Sequence, residues 1–304
     1  MNKQLSPIIL VIGGTGTQGG NVARELLKYK HRVRVLTRDP ASSAAKAIEQ
    51  LGAEVVQGDL GDFNTLLPAM KDVSAIFSAQ YTDPNDLSLE LRNASNMVNA
   101  ARDAGVRQVI HTSVVGTNLF PRWDKSQILT QMWEHKYKVE ELIRHGGFEY
   151  WTILHPSWFM ENLMEPLASY MAPELKYGKL FGLLRSDTPM KLSCGEDMAR
   201  FARLGFESPK PLHAKDINIA SDELSMQQIA DQLGKALARD VVYEQVTHEE
   251  AVRRGLFEGT AQSHLWMNDI PGWGFDLNET KAFDIKLKSF EQWLTDNRNR
   301  IAIE

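Results

Sequence analysis

The sequence predicts an α/β protein whose core is a doubly wound parallel sheet. Two observations carry this prediction. Short apolar runs alternate regularly with longer segments of helical periodicity, and the first apolar run, Ile8–Ile12, leads directly into a glycine-rich segment, Gly13–Gly20. Strands and helices that alternate at this pace imply right-handed βαβ crossovers, which give a parallel sheet with helices on both faces.

The predicted strands are short and rich in β-branched residues, and the predicted helices carry apolar residues on one side. Ile8–Ile12 shows no polar alternation, which indicates a strand buried on both faces. The predicted strands are Ile8–Ile12, Arg32–Thr37, Glu54–Gln57, Ala75–Ala79, Gln108–Thr112, Tyr150–Leu154 and Asp216–Ala220. The predicted helices are Asn21–Lys30, Ser42–Leu51, Asn64–Met70, Leu87–Ala104, Lys125–His145, Leu224–Leu237 and Ser289–Asn297.

Composition excludes several classes of protein. The 304 residues are 43% hydrophobic and 24% charged, as in an ordinary soluble protein, and the net charge of −5 gives no general attraction to nucleic acid or anionic lipid. The single cysteine, Cys194, excludes an intrachain disulfide and a cysteine-cluster zinc site, and no other metal-ligand spacing occurs. No apolar run is long enough for a signal peptide or a membrane span. We therefore expect a cytoplasmic protein without nucleic-acid, membrane or metal partners.

The glycine-rich segment has the spacing GxxGxxG at Gly13, Gly16 and Gly19. Glycines let the backbone turn tightly and approach a pyrophosphate, and the next helix offers free N–H groups and a favourable dipole. Such a pattern is weak alone, but here it lies between a buried strand and a helix. It therefore predicts a Rossmann-like dinucleotide site. The predicted cofactor-binding residues of this loop are Gly13, Thr15, Gly16, Thr17, Gln18 and Gly19.

The end of the second predicted strand indicates which dinucleotide is bound. About 20 residues after the loop, an acidic residue favours NAD, whereas an arginine accommodates the 2′-phosphate of NADP. Arg38 stands at this point, and Asp39, one residue later, is expected to point away. The sequence therefore predicts NADP(H), the alternative being that Arg38 is an ordinary surface arginine.

The chain resembles the NmrA-like family of atypical short-chain dehydrogenases/reductases. The resemblance covers almost the whole length, and its more specific stretches are Trp158–Asn162 (WFMEN) and Asp197–Ala202 (DMARFA). The family contains NADP-binding redox sensors, transcriptional co-regulators and NADPH-dependent reductases. Membership alone therefore implies a fold and a cofactor but not a reaction.

The resemblance also implies further site residues. Asp59 and Leu60, after the third strand, are implied beside the adenine, and Gln80 and Pro156 beside the nicotinamide. His155, next to Pro156, is expected to be a hydrogen-bonded structural residue, with a catalytic role as the alternative because imidazoles titrate near neutrality. The substrate pocket implied beside the nicotinamide is lined by Tyr81, Trp123, Trp158 and Phe159, for each of which core packing is the alternative.

The catalytic positions implied by the resemblance are incomplete. Ordinary members of the superfamily use Ser, Tyr and Lys, with the Tyr four residues before the Lys on one helix face. Ser113 stands at the serine position, and the Val-Glu-Glu sequence that follows makes Lys136 the lysine that binds the nicotinamide ribose. Met132 then occupies the tyrosine position, and a thioether cannot transfer a proton. Tyr137 could take over the tyrosine role only if the family pattern were aligned in a different register. The alternative lysine, Lys138, conflicts with the register that the Val-Glu-Glu sequence sets.

The aromatic residues that become dense between Trp158 and Leu184 predict a second, smaller lobe. We expect residues 1–156 to form the NADP-binding domain, together with a returning strand and helix near 197–237. Residues 157–196 and 238–304 are expected to form the interleaved C-terminal substrate or partner lobe.

Two functions are compatible with these features. The first is an NADPH-dependent oxidoreductase of a small apolar or aromatic substrate, with Lys136 and Ser113 as the candidate catalytic residues. The alternative is a non-catalytic NADP(H) redox sensor that acts through a regulatory protein partner. Met132 favours the sensor, whereas Lys136 and the aromatic lobe favour the enzyme. Of the two functions, we favour the enzyme. The oligomeric state is not predicted.

Overall fold

A computed structural model describes residues 7–301 of the chain. The strands are β1 (Ile8–Ile12), β2 (Arg32–Thr37), β3 (Glu54–Gln57), β4 (Val73–Ala79), β5 (Gln108–Thr112), β6 (Tyr150–Pro156), β7 (Trp158–Phe159), β8 (Lys179–Gly182), β9 (Met190–Ser193), β10 (Lys215–Ile219), β11 (Asp222–Leu224) and β12 (Val242–Gln245). The helices are α1 (Thr17–Lys28), α2 (Ser43–Gln50), α3 (Phe63–Ala69), α4 (Ser88–Asp103), α5 (Ile128–Arg144), α6 (Ala168–Met171), α7 (Gly195–Glu207), α8 (Pro209–Leu212), α9 (Met226–Leu237), α10 (His248–Arg253), α11 (Glu258–Asp269), α12 (Leu277–Lys281) and α13 (Phe290–Asn297). Short 3-10 helices lie at Thr117–Arg122, Met160–Leu163, Leu175–Tyr177, Pro271–Gly274 and Arg298–Arg300.

The main sheet has seven strands in the order β3-β2-β1-β4-β5-β6-β10. Neighbouring strands from β3 to β6 pair in parallel, and Val11 of β1 pairs with Val35 on one side and Phe77 on the other. This is the order of doubly wound nucleotide-binding sheets, in which the order reverses between β1 and β4. The predicted fold class is confirmed.

Most predicted elements are present, with shifted ends. Helix α1 begins at Thr17, before the expected Asn21, because Gly19 and Gly20 are helical despite the low helix propensity of glycine. Helix α5 begins at Ile128, after the expected Lys125. The Asp124 carboxylate accepts a 2.8 Å hydrogen bond from the backbone N–H of Ser126 and so holds a turn just before the helix.

The chain divides into two compact units. Unit 1 contains the residues up to Phe120, Met132–His155 and Met198–Ile217. Unit 2 contains Pro121–Gln131, Pro156–Asp197 and the residues from Asn218 onward. The sequence grouped the helix near 224–237 with the first domain, whereas α9 belongs to unit 2.

The core of unit 1 lies on both faces of the sheet. On one face, alternate strand residues such as Leu10 and Val109 pack with Leu66 of α3 and Met97 of α4. On the other face, α1 contacts β1, β2 and β4. The sheet is thus covered on both sides, which leaves the ends of its strands as the place for a ligand.

Unit 2 has its own core and two small sheets, one ordered β11-β9-β7 and one formed by β12 and β8. Buried Ile229 and Leu233 of α9 share one apolar cluster with Trp293 and Leu294 of α13, which explains why α9 belongs to this unit. Cys194 is fully buried in the same cluster, and burial raises the pKa of its thiol. A protonated, buried thiol is unreactive, so Cys194 is a packing residue.

Candidate functional site

A cleft of about 400 Å³ opens in unit 1 at the carboxyl ends of β1, β2, β3 and β4. Its walls include Gly13 after β1, Arg38 after β2, Gly58 after β3 and Ala79 at the end of β4. This is the point at which the strand order reverses, where ligands bind in open α/β sheets. The sequence-predicted residues Thr15, Asp59, Leu60 and Tyr81 also line the cleft.

The glycine loop forms the tight turn expected of a phosphate site. Gly13 has φ +74°, and a Cβ added there would lie 3.1 Å from the carbonyl oxygen of Ala79, so the position requires glycine. The carbonyl of Gly13 accepts a 2.9 Å hydrogen bond from the N–H of Gly16. A Cβ added at Gly19 would lie 2.4 Å from the backbone carbon and oxygen of Gly13. Gly19 therefore lets α1 approach the loop backbone closely.

The N-terminus of α1 is open to an anion. Gly16 is the N-cap residue, and no side chain caps the helix. The first N–H groups of a helix, including that of Thr17, have no intrahelical acceptor and attract negative charge. The Gln18 side chain is fixed, because its Oε1 accepts a 2.9 Å hydrogen bond from the hydroxyl of Thr112 at the end of β5. Of the predicted loop residues, Gly13 and Thr15 line the cleft, and the binding roles of Gly16, Thr17, Gln18 and Gly19 stay predictions.

Arg38 is exposed at the cleft wall. Within residues 7–301 its guanidinium makes no hydrogen bond or ion pair, so its donors remain available to a ligand. The Asp39 carboxylate instead closes a local turn, accepting a 2.9 Å hydrogen bond from the N–H of Ala41. Both side chains line the cleft, and the role of Arg38 at a phosphate stays a prediction.

Asn93 of α4 is a cleft residue that the sequence analysis missed. Its Oδ1 is buried and has no hydrogen-bond partner among the described residues. Near it, the carboxylate of Asp59 accepts a 2.8 Å hydrogen bond from the N–H of Gly61. An unpaired buried acceptor is costly unless a ligand or water donates to it. Asn93 Oδ1 can therefore accept a hydrogen bond from an amino group in the cleft, and nothing in the spacing of α4 singles out this position.

A second buried acceptor belongs to the predicted residue Gln80, whose Oε1 has no partner in the described part of the chain. The Nε2 of Gln80 lies 3.2 Å from the hydroxyl of Ser78, which in turn lies 3.3 Å from Nδ1 of His111. Burial lowers the pKa of His111 to about 4. The imidazole is therefore neutral at physiological pH.

Lys136 is held by a buried carboxylate. Its Nζ lies 3.0 Å from Oε1 of Glu90, and the two side chains are 15% and 2% exposed. The other oxygen of Glu90 accepts a 2.6 Å hydrogen bond from the hydroxyl of Thr82. The alternative lysine, Lys138, instead pairs with Glu134 at the surface. Of the two lysines, Lys136 is the one directed into unit 1.

Ser113 lies in a different cluster, centred on the fully buried Glu140 of α5. Its hydroxyl donates a 2.6 Å hydrogen bond to Oε1 of Glu140, which also lies 3.0 Å from Nε2 of His155. Oε2 of Glu140 accepts a 2.9 Å hydrogen bond from Arg144. Burial opposes ionisation of Glu140, but hydrogen bonds from His155 and Ser113 hold its pKa below the usual 4.5. His155 therefore has the structural partner that the sequence analysis expected, and the catalytic role of Ser113 stays a prediction.

Tyr137 is directed away from the Lys136 ammonium. Its ring centroid lies 5.8 Å from that of Phe120 and 5.8 Å from the guanidinium carbon of Arg144. Neighbouring residues on a helix differ by about 100° in direction, which agrees with this separation. The position four residues before Lys136 carries the thioether of Met132, which lies within α5. The assignment of Met132 to the family's proton-transfer position stays a prediction.

The predicted pocket residues differ in their surroundings. Tyr81 is 68% exposed at the cleft of unit 1. In unit 2, Trp158 packs against the core and lines a small apolar cavity of about 20 Å³, and Trp123 stacks on Trp266 with ring centroids 3.9 Å apart. Phe159 pairs with Ser193 in the small sheet, and Pro156 ends β6. A cavity of this size holds little more than a water molecule, so the substrate-pocket roles stay predictions.

The Glu140 cluster predicts a specific effect on stability. We expect Glu140→Gln to lower the free energy of unfolding at neutral pH by about 2 kcal/mol, because it leaves buried partners of a carboxylate unsatisfied. Since the pKa of Glu140 is lower in the folded than in the unfolded chain, its contribution is present above pH 4.5 and is lost as the pH falls below that value. Urea unfolding at neutral and acidic pH measures both effects.

The matched control is Glu141→Gln, because Glu141 pairs with the same Arg144 but is 39% exposed. We expect this control to change stability by less than about 0.5 kcal/mol. Equal effects of the two substitutions, or a Glu140→Gln loss that is independent of pH, would contradict the assignment.

Among residues 7–301, no helix is both long and apolar enough to cross a membrane. The same residues contain no group of three or more His, Cys, Asp or Glu side chains that could hold a metal ion.

Comparison with known proteins gives a consistent assignment. The model of the NmrA-like family matches residues 6–294. The chain is 35% identical over 166 residues to the NmrA-like family domain-containing oxidoreductase malD of Malbranchea aurantiaca, a match that covers 52% of this chain and 48% of malD. A longer match, 26% identical over 278 residues, is to oxidoreductase cpsB of Aspergillus campestris and covers 85% of this chain and 81% of cpsB. The chain spans about half the length of several curated relatives that it matches.

Solved structures share the fold. The NADPH-dependent quinone oxidoreductase QOR2 of Escherichia coli, in complex with NADPH, superposes with a TM-score of 0.77 at 23% identity and covers 96% of this chain and 100% of its own. The negative transcriptional regulator NmrA in complex with NADP gives a TM-score of 0.75 at 17% identity, with coverage of 96% and 95%. These similarities include both an enzyme and a regulator, and at such identities they establish the fold alone.

Proposed function

The chain belongs to the NmrA-like family, and from this premise we propose that it binds NADP(H) in the cleft of unit 1 and acts as an NADPH-dependent oxidoreductase on a small apolar or aromatic substrate. The observation that carries the proposal is the combination of the glycine loop with the unpaired Arg38 in one cleft. Relatives named as oxidoreductases and the NADPH complex of QOR2 support it.

The residues of the cleft fit this cofactor. The loop leaves space at Gly16, where an added Cβ would meet only the carbonyl oxygen of Gly13, at 3.4 Å. A pyrophosphate can therefore approach the N-terminus of α1, and Arg38 can donate to a 2′-phosphate. Asn93 Oδ1 offers an acceptor for the exocyclic amino group of adenine. These groups together favour a phosphorylated adenine dinucleotide over a simple anion.

When bound, NADPH supplies a hydride, so a proton donor must come from the chain or from solvent. The hydroxyl proton of Ser113 is directed to Glu140, and Met132 has no exchangeable proton. Lys136 carries donors and is only partly buried. We assign Lys136 the two roles of binding the nicotinamide ribose and donating the proton, and Ser113 the role of ordering the end of β5.

The alternative function is a sensor that binds NADP(H) without turnover and changes a contact with a partner protein. Met132 at the position of the usual proton donor favours it. The pairing of Lys136 with the buried Glu90 favours the enzyme, because an ammonium held in one orientation suits proton transfer. The two functions make opposite predictions about cofactor consumption.

The deciding experiment mixes the protein with NADPH and a panel of quinones, enals and aromatic ketones. We expect NADPH binding, seen as a change in nicotinamide fluorescence, and NADPH oxidation with at least one acceptor, seen as a loss of near-ultraviolet absorbance. Lys136→Met should weaken NADPH binding by no more than about tenfold, through the lost ribose contact, and should lose about 100-fold or more in turnover if Lys136 is the proton donor. Tight NADPH binding without consumption of any acceptor would favour the sensor, and absence of NADPH binding would refute both functions.

A further inference from the structure

Glu90, Lys136 and Thr82 form a hydrogen-bonded cluster, and the family pattern gives Glu90 no role. A lysine ammonium is a compact charge on a flexible stem, so it donates a proton in one direction only when a partner fixes it. In this chain the side chain four residues before Lys136 is the thioether of Met132, which cannot provide such a partner. The structure provides one from α4 instead.

We propose that Glu90 is a positioning residue of the catalytic site, which holds the Lys136 ammonium in the orientation of a proton donor in the absence of a tyrosine. This inference rests on the proposed function. Glu90 acts through Lys136 and is not itself assigned a contact with cofactor or substrate.

The geometry fixes the carboxylate at both oxygens. Oε1 of Glu90 lies 3.0 Å from Nζ of Lys136, and Oε2 accepts the 2.6 Å hydrogen bond from Thr82. A carboxylate held at both oxygens cannot rotate without breaking one contact. Because Glu90 is 2% exposed, water cannot replace either contact freely. Breaking a buried ion pair of this kind costs free energy, and the intact pair holds the Lys136 ammonium in one direction.

The same two segments that hold the pair also form the cleft wall. Tyr81, next to Thr82, and Leu89, next to Glu90, both line the cleft. Glu90 also lies in the first turn of the sixteen-residue helix α4, where the helix dipole favours a negative charge. The pair is therefore attached to the binding site by its immediate sequence neighbours.

The surrounding charges keep Glu90 ionised. Burial raises the pKa of Glu90, but the charge and hydrogen bond of Lys136 and the hydroxyl of Thr82 outweigh it and lower the pKa below 4.5. His111 of β5 also faces the pair, but its pKa of about 4 leaves it neutral at physiological pH. Lys136 is then the cation that pairs with the ionised Glu90, so the carboxylate can hold Nζ in one position.

The test compares Glu90→Gln with wild-type full-length protein. Trace acylation with acetic anhydride across a pH series, followed by mass spectrometry, reports the reactivity of Lys136, with Lys138 as an internal reference. We expect the labelling rate of Lys136 relative to that of Lys138 to rise at least about threefold, because the amide no longer holds Nζ in an ion pair. A merely looser fold would instead raise the labelling rates of other buried lysines, such as Lys191, by a similar factor.

The second measurement is turnover with menadione and NADPH. We expect Glu90→Gln to keep NADPH affinity within about threefold and to lower kcat at least about tenfold. Glu90→Asp should restore part of kcat. The matched control, Glu134→Gln, removes the surface partner of Lys138 on the same helix and should change neither kcat nor the Lys136 curve.

An unchanged relative labelling rate of Lys136 in Glu90→Gln would overturn the proposal, as would an unchanged kcat. Equal losses from Glu90→Gln in the wild-type and Lys136→Met backgrounds would also overturn it, because Glu90 would then act independently of Lys136. If wild-type protein binds NADPH but reduces no acceptor, the proposed enzyme function fails. The labelling curve then still decides whether Glu90 controls Lys136.

Discussion

Replacing Arg38 by alanine is expected to weaken NADPH binding about 10- to 100-fold while leaving NADH binding within about twofold. Hydrogen bonds to a charged group contribute about 1.5–3 kcal/mol, which corresponds to this range of affinity. Arg38 is exposed at the cleft wall and its guanidinium is unpaired among residues 7–301, so its removal disturbs no other contact there. Titration of nicotinamide fluorescence with each cofactor gives the two affinities.

The control for this prediction is Arg102→Ala, because Arg102 is also exposed but lies in the last turn of α4. We expect it to leave both affinities unchanged. NADPH binding that is equally tight in Arg38→Ala would show that the 2′-phosphate is bound elsewhere. Equal weakening of NADPH and NADH would place Arg38 on a group that both cofactors share, such as the pyrophosphate.

Replacing Gly19 by alanine is expected to destabilise the folded protein by at least about 3 kcal/mol even without cofactor. The added Cβ would lie 2.4 Å from the backbone carbon and oxygen of Gly13 and 2.8 Å from the backbone nitrogen of Gly14. Backbone atoms that end a central strand cannot move aside as a flexible side chain does. Urea unfolding of the cofactor-free protein measures the loss.

Gly16→Ala is the matched control within the same loop. Its Cβ would meet only the Gly13 carbonyl oxygen, at 3.4 Å, and φ of −96° suits alanine. We expect stability within about 0.5 kcal/mol of wild type but roughly tenfold weaker NADPH binding, since the Cβ occupies space near the phosphate site. Similar unfolding free energies for the two variants would contradict the distinct packing and binding roles of the two glycines.

The main sheet could be predicted from the sequence because its strands are marked locally. Runs such as Ile8–Ile12 are apolar on both faces, and the glycine segment after it has few other interpretations in that position. The small sheets of unit 2 were not predicted. Strands such as β7 and β11 have only two and three residues, and their pairing with β9 depends on contacts between distant parts of the chain.

The candidate site shows the same division. The loop glycines, Arg38 and Lys136 could be predicted as site residues, because a sequence motif or a helix register gives their positions. Glu90 and Asn93 could not be selected, because their significance depends on tertiary neighbours. Glu90 is 46 residues from Lys136 in sequence, and Asn93 is distinguished only by a buried oxygen that no described residue contacts. Helical spacing carries no signal for either.

The order of the strands has a consequence for biosynthesis. The residues that line the cleft lie between Ile12 and Asn93, whereas β10, the edge strand beside β6, follows only at Lys215–Ile219. While the ribosome adds the intervening chain, β6 remains the edge of the sheet, and an unpaired edge is a template for wrong pairing. The residues that line the cleft are thus synthesised well before the strand that completes the sheet.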